Sequence, residues 1–150
     1  MNMIDRTTLP YRQSTLAIVT NKNGRFLIVN KQAYEPDKYW SFPGGSVDEG
    51  ETEEQAVMRE LVEELESDKF EIIDKSDQIY QYEWPDDVIE TTYQKKGIYF
   101  RGTELTQFWV KYFGREEEIK AGDGIRSVKW VSREDLKNYL LFPNQFENTE

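Results

Sequence analysis

Residues 40–66 read WSFPGGSVDEGETEEQAVMRELVEELE, and both the fold and the chemistry of the chain turn on this stretch. Its second half, 52–66, predicts a helix. Thr52 and Gln55 have capping-box spacing ahead of Ala56 and Val57. Glu51, Glu53 and Glu54 put negative charge at the positive end of the helix. Glu60, Glu63 and Glu64 stand at i, i+3 and i+4, within one arc of about 100°. Val57, Met58, Leu61, Val62 and Leu65 are expected to face the core. Three carboxylates on one helix face repel each other. No lysine lies between Glu51 and Asp68, and Arg59 is the only cation there. A divalent cation held by oxygen ligands would relieve the repulsion, and oxygen ligands at this spacing suit Mg2+. For the glutamates alone, a solvated acidic face is an equally physical account. The first half of the stretch shifts the balance. Pro43-Gly44-Gly45 ends a short extended segment, and glycine lets backbone approach a ligand or metal closely.

Outward from the centre, residues 14–20 (STLAIVT) read as a strand. Asn23-Gly24 is a turn signal, and residues 25–30 (RFLIVN) are its hairpin partner. Residues 70–74, 78–84, 105–113 and 127–131 read as strands, and 132–141 as a helix with Ser132 and Asp135 as its capping pair. Residues 85–97 read as an irregular insertion, 114–124 as a charged loop, and 142–150 as a tail. Interspersed strands and helices, with no internal repeat and no linker-like run, predict one layered α/β domain over residues 1–150.

The composition narrows the chemistry. The chain has 150 residues, enough for one domain with a core of its own. It has no cysteine and no histidine. Thiolate metal sites and disulfides are therefore excluded, as are the commonest general base and the commonest transition-metal ligand. Any metal must be held by oxygen, which points to hard cations, Mg2+ first and Mn2+ second. The net charge of −10 disfavours stable binding to duplex nucleic acid or to an anionic membrane. It leaves an anionic substrate open, because a bound divalent cation inverts the local field. No stretch has signal-peptide or membrane-span character, so a cytoplasmic protein is expected.

The central stretch resembles the signature of the Nudix hydrolases: Gly, five residues, Glu, seven residues, then Arg-Glu-hydrophobic-any-Glu-Glu-any-Gly-hydrophobic. Gly45 is followed after five residues by Glu51, and seven residues later by Arg59-Glu60-Leu61-Val62-Glu63-Glu64. Glu66 and Ser67 depart from the last two positions, where glycine and a hydrophobic residue are usual. The missing glycine leaves the helix terminus in question more than the chemistry. The flanking strands and Trp130-Val131 also resemble the family. The resemblance implies a Nudix-type α/β/α sandwich around a mixed β-sheet, and a Mg2+-dependent enzyme that cleaves a phosphoanhydride bond in a nucleoside-diphosphate-linked substrate. It implies that Glu60, Glu63 and Glu64 bind metal, with the Gly45 carbonyl as a further candidate ligand. It also implies that Glu51 pairs with Arg59 and braces the loop against the helix. With no histidine, the general base must be a carboxylate or a metal-bound hydroxide. Glu63 and Glu64 lie in the motif, and Asp123 is the first candidate outside it, ahead of Glu116, Glu117 and Glu118.

The motif specifies chemistry rather than substrate. Arg12, Arg101 and Phe142 match positions of the branch acting on 5′-triphosphorylated RNA ends and dinucleoside polyphosphates, where the basic residues touch phosphates and the aromatic stacks on a base. Gly44 stands where that branch commonly has Gln, and residues 103–109 lack its lysine. Surface ion pairing for the two arginines and core packing for Phe142 are the plain alternatives. A (d)NTP pyrophosphatase that cleans the nucleotide pool fits the Phe-Pro-Gly-Gly segment equally well. A sugar-nucleotide or ADP-ribose hydrolase ranks third. A catalytically idle nucleotide-sensing domain would be expected to lose motif carboxylates, and a plain acidic interaction domain would show no dependence on Mg2+.

Overall fold

The computed structural model describes residues 5–32 and 40–139. Its six-stranded mixed sheet is built on β1 (Tyr11–Thr20). The turn at Asn23-Gly24 leads into β2 (Phe26–Lys31), which pairs antiparallel with β1 only at Thr20↔Phe26. Beyond that pair the two strands diverge, and the central stretch enters the gap. β3 (Trp40–Ser41) pairs with β2 through Val29↔Ser41. The residues after it hydrogen-bond to β1: Ala17 N–H donates to the Pro43 carbonyl, and Val47 N–H donates to the Gln13 carbonyl. The loop is thus held as a wedge between two strands. Gly44 has φ +148°, and a Cβ there would lie 2.2 Å from the Thr15 carbonyl oxygen, so the wedge requires glycine.

Helix α1 (Glu53–Leu65) follows, with the Thr52/Gln55 capping box formed as the sequence predicts. β4 (Phe70–Glu83) is one strand where two were expected, with pairing irregularities between Ile72 and Asp74 and between Lys75 and Ile79. Residues read as an irregular insertion form a helix, α2 (Asp86–Lys96). Its signals are terminal rather than periodic: Pro85 at the N-cap, Asp86 and Asp87 in the first turn, Lys95 and Lys96 in the last, and a left-handed Gly97 closing it. β5 (Gly102–Tyr112) runs parallel to β1, and β6 (Ile125–Val131) covers the outer edge of β2. The charged loop before β6 contains one 3-10 turn, Glu116–Glu118. α3 (Leu136–Tyr139) begins after a turn in which Asp135 N–H donates to the Ser132 hydroxyl.

The alternation of strand side chains divides the core in two. Ala17, Val19, Leu27, Val29, Phe108 and Val110 face α1 and bury Val57, Leu61 and Leu65. Ile18, Ile28, Trp40 and Phe42 face the other way and pack with Leu136 and Tyr139 of α3. Helices on both faces of a mixed sheet are the α/β/α arrangement expected. Among the described residues no helix is long and apolar enough to cross a membrane.

The expected core face of α1 needs two corrections. Val62 is 43% exposed, and Glu64 is only 6% exposed. The helix period explains both. Glu64 follows Val57 by seven residues and lies about 20° from it around the axis, whereas Val62 falls outside that arc.

Candidate functional site

Five carboxylates and two cations meet where the wedge loop crosses α1. Arg59 is the hub. Its Nε and Nη2 donate to Glu51 at 2.7 and 3.0 Å, and Nη2 also donates to the Ser46 carbonyl at 2.9 Å. Its Nη1 spans Glu60 at 3.0 Å and Glu63 at 3.2 Å, and Asp48 lies 3.4 Å from Nη2. Glu51 also accepts from Asp48 N–H. Its hydrogen bonds, Arg59 first, hold its pKa below the ordinary carboxylate value. The same contacts raise the guanidinium pKa. The Glu51–Arg59 pair therefore fastens loop to helix.

Glu64 sits in different surroundings. Gly44 N–H donates to its Oε1 at 3.0 Å, and the Lys31 ammonium stands 3.9 Å from its Oε2. Burial pushes its pKa up to about 7, against the opposing pull of Lys31 and Gly44. Burial also raises the Glu60 pKa, partly offset by Arg59. Glu63 is more open, its side chain 44% exposed.

The two glycines have separate jobs. A Cβ on Gly45 would lie 2.5 Å from the Glu60 carboxyl carbon, so glycine there opens a cradle for that carboxylate. The Gly45 carbonyl accepts both the Thr15 N–H at 2.8 Å and the Thr15 hydroxyl at 3.0 Å. Two donors occupy both lone pairs, which corrects the expectation that this carbonyl would be the free ligand. The Gly44 carbonyl faces the acid cluster instead and accepts from Lys31 Nζ at 3.2 Å.

The donor set is all oxygen and suits a hard divalent ion. Among the described residues no three acidic side chains already converge as a ligand group. Arg59 draws Glu60 and Glu63 to one side, while Gly44 and Lys31 hold Glu64 on the other. Ser41, paired with Val29 on the α1 side of the sheet, keeps a buried hydroxyl with no partner among the described residues, three residues before Gly44.

The C-terminal end of α1 meets the loop before β6. Lys120, Gly122 and Asp123 N–H groups donate to the Leu65, Glu64 and Glu63 carbonyls. These bonds satisfy the helix end, and Glu66 adopts the left-handed conformation (φ 54°) usually given to glycine. A Cβ on Gly122 would lie 2.1 Å from the Glu63 carbonyl oxygen, so the loop can approach only through glycine. Asp123 is thereby set beside Glu63 with an exposed side chain. Glu116 and Glu118 are engaged elsewhere, with Asn21 and Arg25 and with Lys69 and Arg115 N–H respectively.

Arg12 and Arg101 lie near the start of β1, where Arg12 pairs in register with Thr103 and Arg101 N–H donates to the Pro10 carbonyl, next to the stretch from Gln13 that holds the wedge loop. Arg101 lies over the Tyr11 ring at 5.4 Å and bridges to Glu83 at 3.3 Å, and its buried Nε has no partner among the described residues. Phe142 lies outside the described residues. The sequence reading passed over Lys31 and Thr15. Period-two counting from Leu27 and Val29 puts position 31 on the core-facing side, where a lysine needs an anion, and that signal was available.

Comparison with known proteins agrees with this geometry. The NUDIX domain family matches residues 10–149. An RNA pyrophosphohydrolase of Wolbachia sp. subsp. Brugia malayi is 34% identical over 130 residues, covering 84% of this chain and 78% of the relative. Among solved structures, an Ap4A hydrolase of C. elegans superposes with a TM-score of 0.68 at 20% identity, covering 91% of this chain and 90% of that one. The dihydroneopterin triphosphate pyrophosphohydrolase of E. coli gives 0.66 at 23% identity, covering 92% and 93%. At such identities the structural likeness speaks for the fold alone. The match along nearly the whole chain and the motif formed by Gly45, Glu51, Arg59, Glu60, Glu63 and Glu64 place this protein in the Nudix family, as a Nudix pyrophosphohydrolase.

Proposed function

We propose that the protein hydrolyses a phosphoanhydride bond at 5′-triphosphorylated RNA ends or in dinucleoside polyphosphates, with Glu60, Glu63, Glu64 and the Gly44 carbonyl as the oxygen ligands of Mg2+ or Mn2+. Nudix hydrolases generally use divalent metal ions. The observation that carries the metal reading is Glu64: a carboxylate 6% exposed, on the same helix as Glu60 and Glu63 and beside the Gly44 peptide, whose ionised form in that burial is favoured by a cation. A bound divalent ion would supply neutralisation of the charge that develops on the phosphates as the bond breaks.

The chain's own residues divide the remaining work. Glu51 and Arg59 hold the loop against α1, so Gly44 and Gly45 keep their distance from the acids. Thr15 fixes the Gly45 peptide and leaves the neighbouring carbonyl facing the cluster. Asp123, beside Glu63, would take the proton of the attacking water; Glu116 and Glu118 are less suited, being tied to other partners. Arg12 and Arg101, grouped at the start of β1, would meet the phosphates of the longer substrate. Arg101 would have to leave Glu83, an exposed pair of the kind that costs about 0–1 kcal/mol to break. The relative named RNA pyrophosphohydrolase supports this branch.

The test is product analysis with Mg2+ or with EDTA on triphosphorylated RNA, diadenosine polyphosphates, dGTP, 8-oxo-dGTP and ADP-ribose. Mg2+-dependent turnover of the first two supports the proposal. Turnover of mononucleotides alone discards the substrate and keeps the chemistry.

A further inference from the structure

Lys31 is a cation placed where the reading above puts a metal. It is the last residue of β2, and its side chain turns inward under the wedge loop. Nζ donates to the Gly44 carbonyl at 3.2 Å and stands 3.9 Å from Glu64 Oε2, while Glu64 Oε1 accepts from Gly44 N–H at 3.0 Å. Ammonium, peptide and carboxylate close a ring. Among the described residues Glu64 has no other cation within ion-pair distance, so Lys31 offsets its burial.

We infer that divalent-metal binding at this site is an exchange, in which the metal takes over the Gly44 carbonyl and the Glu64 carboxylate and the Lys31 ammonium leaves them. This rests on the metal reading given above. The physical ground is that both cations need the same two oxygens, and like charges so close repel strongly where water is scarce. Lys31 is able to leave. Its side chain is 29% exposed, sits on a flexible four-carbon stem, and among the described residues makes no hydrogen bond other than the one to Gly44.

Arg59 behaves differently. Only Nη1 touches Glu60 and Glu63; Nε and Nη2 are fastened to Glu51 and Ser46. It can release two ligands without moving away. Lys31 is therefore the mobile cation of the pair and Arg59 the fixed one.

Two measurements test the exchange. In the first, Mn2+ and Mg2+ binding is measured by calorimetry on the wild type, Lys31→Met and Lys31→Arg, with melting in EDTA alongside. Lys31→Met is expected to bind metal at least tenfold more tightly and to melt several degrees lower in EDTA, with the melting gap closing at saturating metal. Lys31→Arg is expected to bind no more tightly than the wild type. Equal or weaker binding by Lys31→Met, with normal binding by the wild type, overturns the exchange and leaves the metal site standing. Absence of metal binding in the wild type, or undiminished binding by Glu64→Gln, overturns the site itself. The second measurement needs no variant: amine labelling of the wild type read by mass spectrometry. Lys31 labelling is expected to rise severalfold on addition of Mg2+, and unchanged or reduced labelling overturns the exchange.

Discussion

α1 and α2 are helices of similar length, 13 and 11 residues, each rich in acid at its first turn and each closed by a left-handed residue. Their acids do different things. In α2, Asp86 and Asp87 are exposed at the N-terminus, where the helix dipole favours them, and the helix buries only Ile89. In α1, Glu60 and Glu64 are drawn toward the core and their pKa values rise. The difference lies in what crosses each helix. α1 is crossed by a glycine loop and reached by Lys31, whereas α2 is tethered at its base by Arg6, which bridges to Glu83 and Asp86, and is backed by the stacked rings of Tyr93 and Tyr99 at 3.9 Å. An acid-bearing helix becomes a site only where packing denies the acids water.

The largest expected effect lies on α1. Glu63→Gln or Glu64→Gln should lower kcat by several orders of magnitude, on the order of 10³ or more, with the fold retained, because a ligand is lost where transition-state charge develops. Glu51→Gln should cost less, since it touches Arg59 and not the reacting atoms. Steady-state kinetics and circular dichroism on the three variants check this. Equal activity in all three contradicts the division of roles.

The next effect reverses the sign. The Glu64 pKa is raised to about 7, so its protonation favours the metal-free fold most fully below the ordinary carboxylate pKa. That contribution is lost as pH rises through about 7. In EDTA at pH 8, Glu64→Gln should therefore be more stable than the wild type, by on the order of 1–3 kcal/mol, while being inactive. Denaturant titrations from pH 5 to 8 should show the wild type falling relative to the variant.

Gly122→Ala should cost about 1–3 kcal/mol, because its Cβ meets the Glu63 carbonyl oxygen and the loop must move. It should also lower kcat by shifting Asp123, and unchanged kcat with lowered stability would remove Asp123 from the mechanism. The smallest effect is on α2. Tyr93→Ala removes one ring of an exposed stack and should cost about 0.5–1.5 kcal/mol, with kcat on a mononucleotide or dinucleotide substrate unchanged.

These contrasts follow what could be read in advance. The Thr52/Gln55 cap, the Glu51–Arg59 brace and the crowding of Glu60, Glu63 and Glu64 were legible because they are local, set by spacing along one helix. α2 was missed because its signals sit at its ends and its Thr91-Thr92-Tyr93 centre has low helix propensity and no apolar period. Lys31 was missed because its partner is 33 residues away and reaches it only through the divergence of β1 and β2. The choice between the Gly44 and Gly45 carbonyls depends on which one β1 engages, and Thr15 decides that across the gap. The glycine missing at position 66 looked like a defect and is supported by three N–H groups from a distant loop.

The most direct measurement is phosphate and pyrophosphate release from 5′-triphosphorylated RNA by the wild type and Glu64→Gln side by side, in Mg2+ and in EDTA. Turnover by the wild type in Mg2+ alone, lost in Glu64→Gln, is the predicted result. Turnover that survives in EDTA, or that Glu64→Gln retains, would contradict the claim that the buried acids of α1 hold a divalent metal for catalysis.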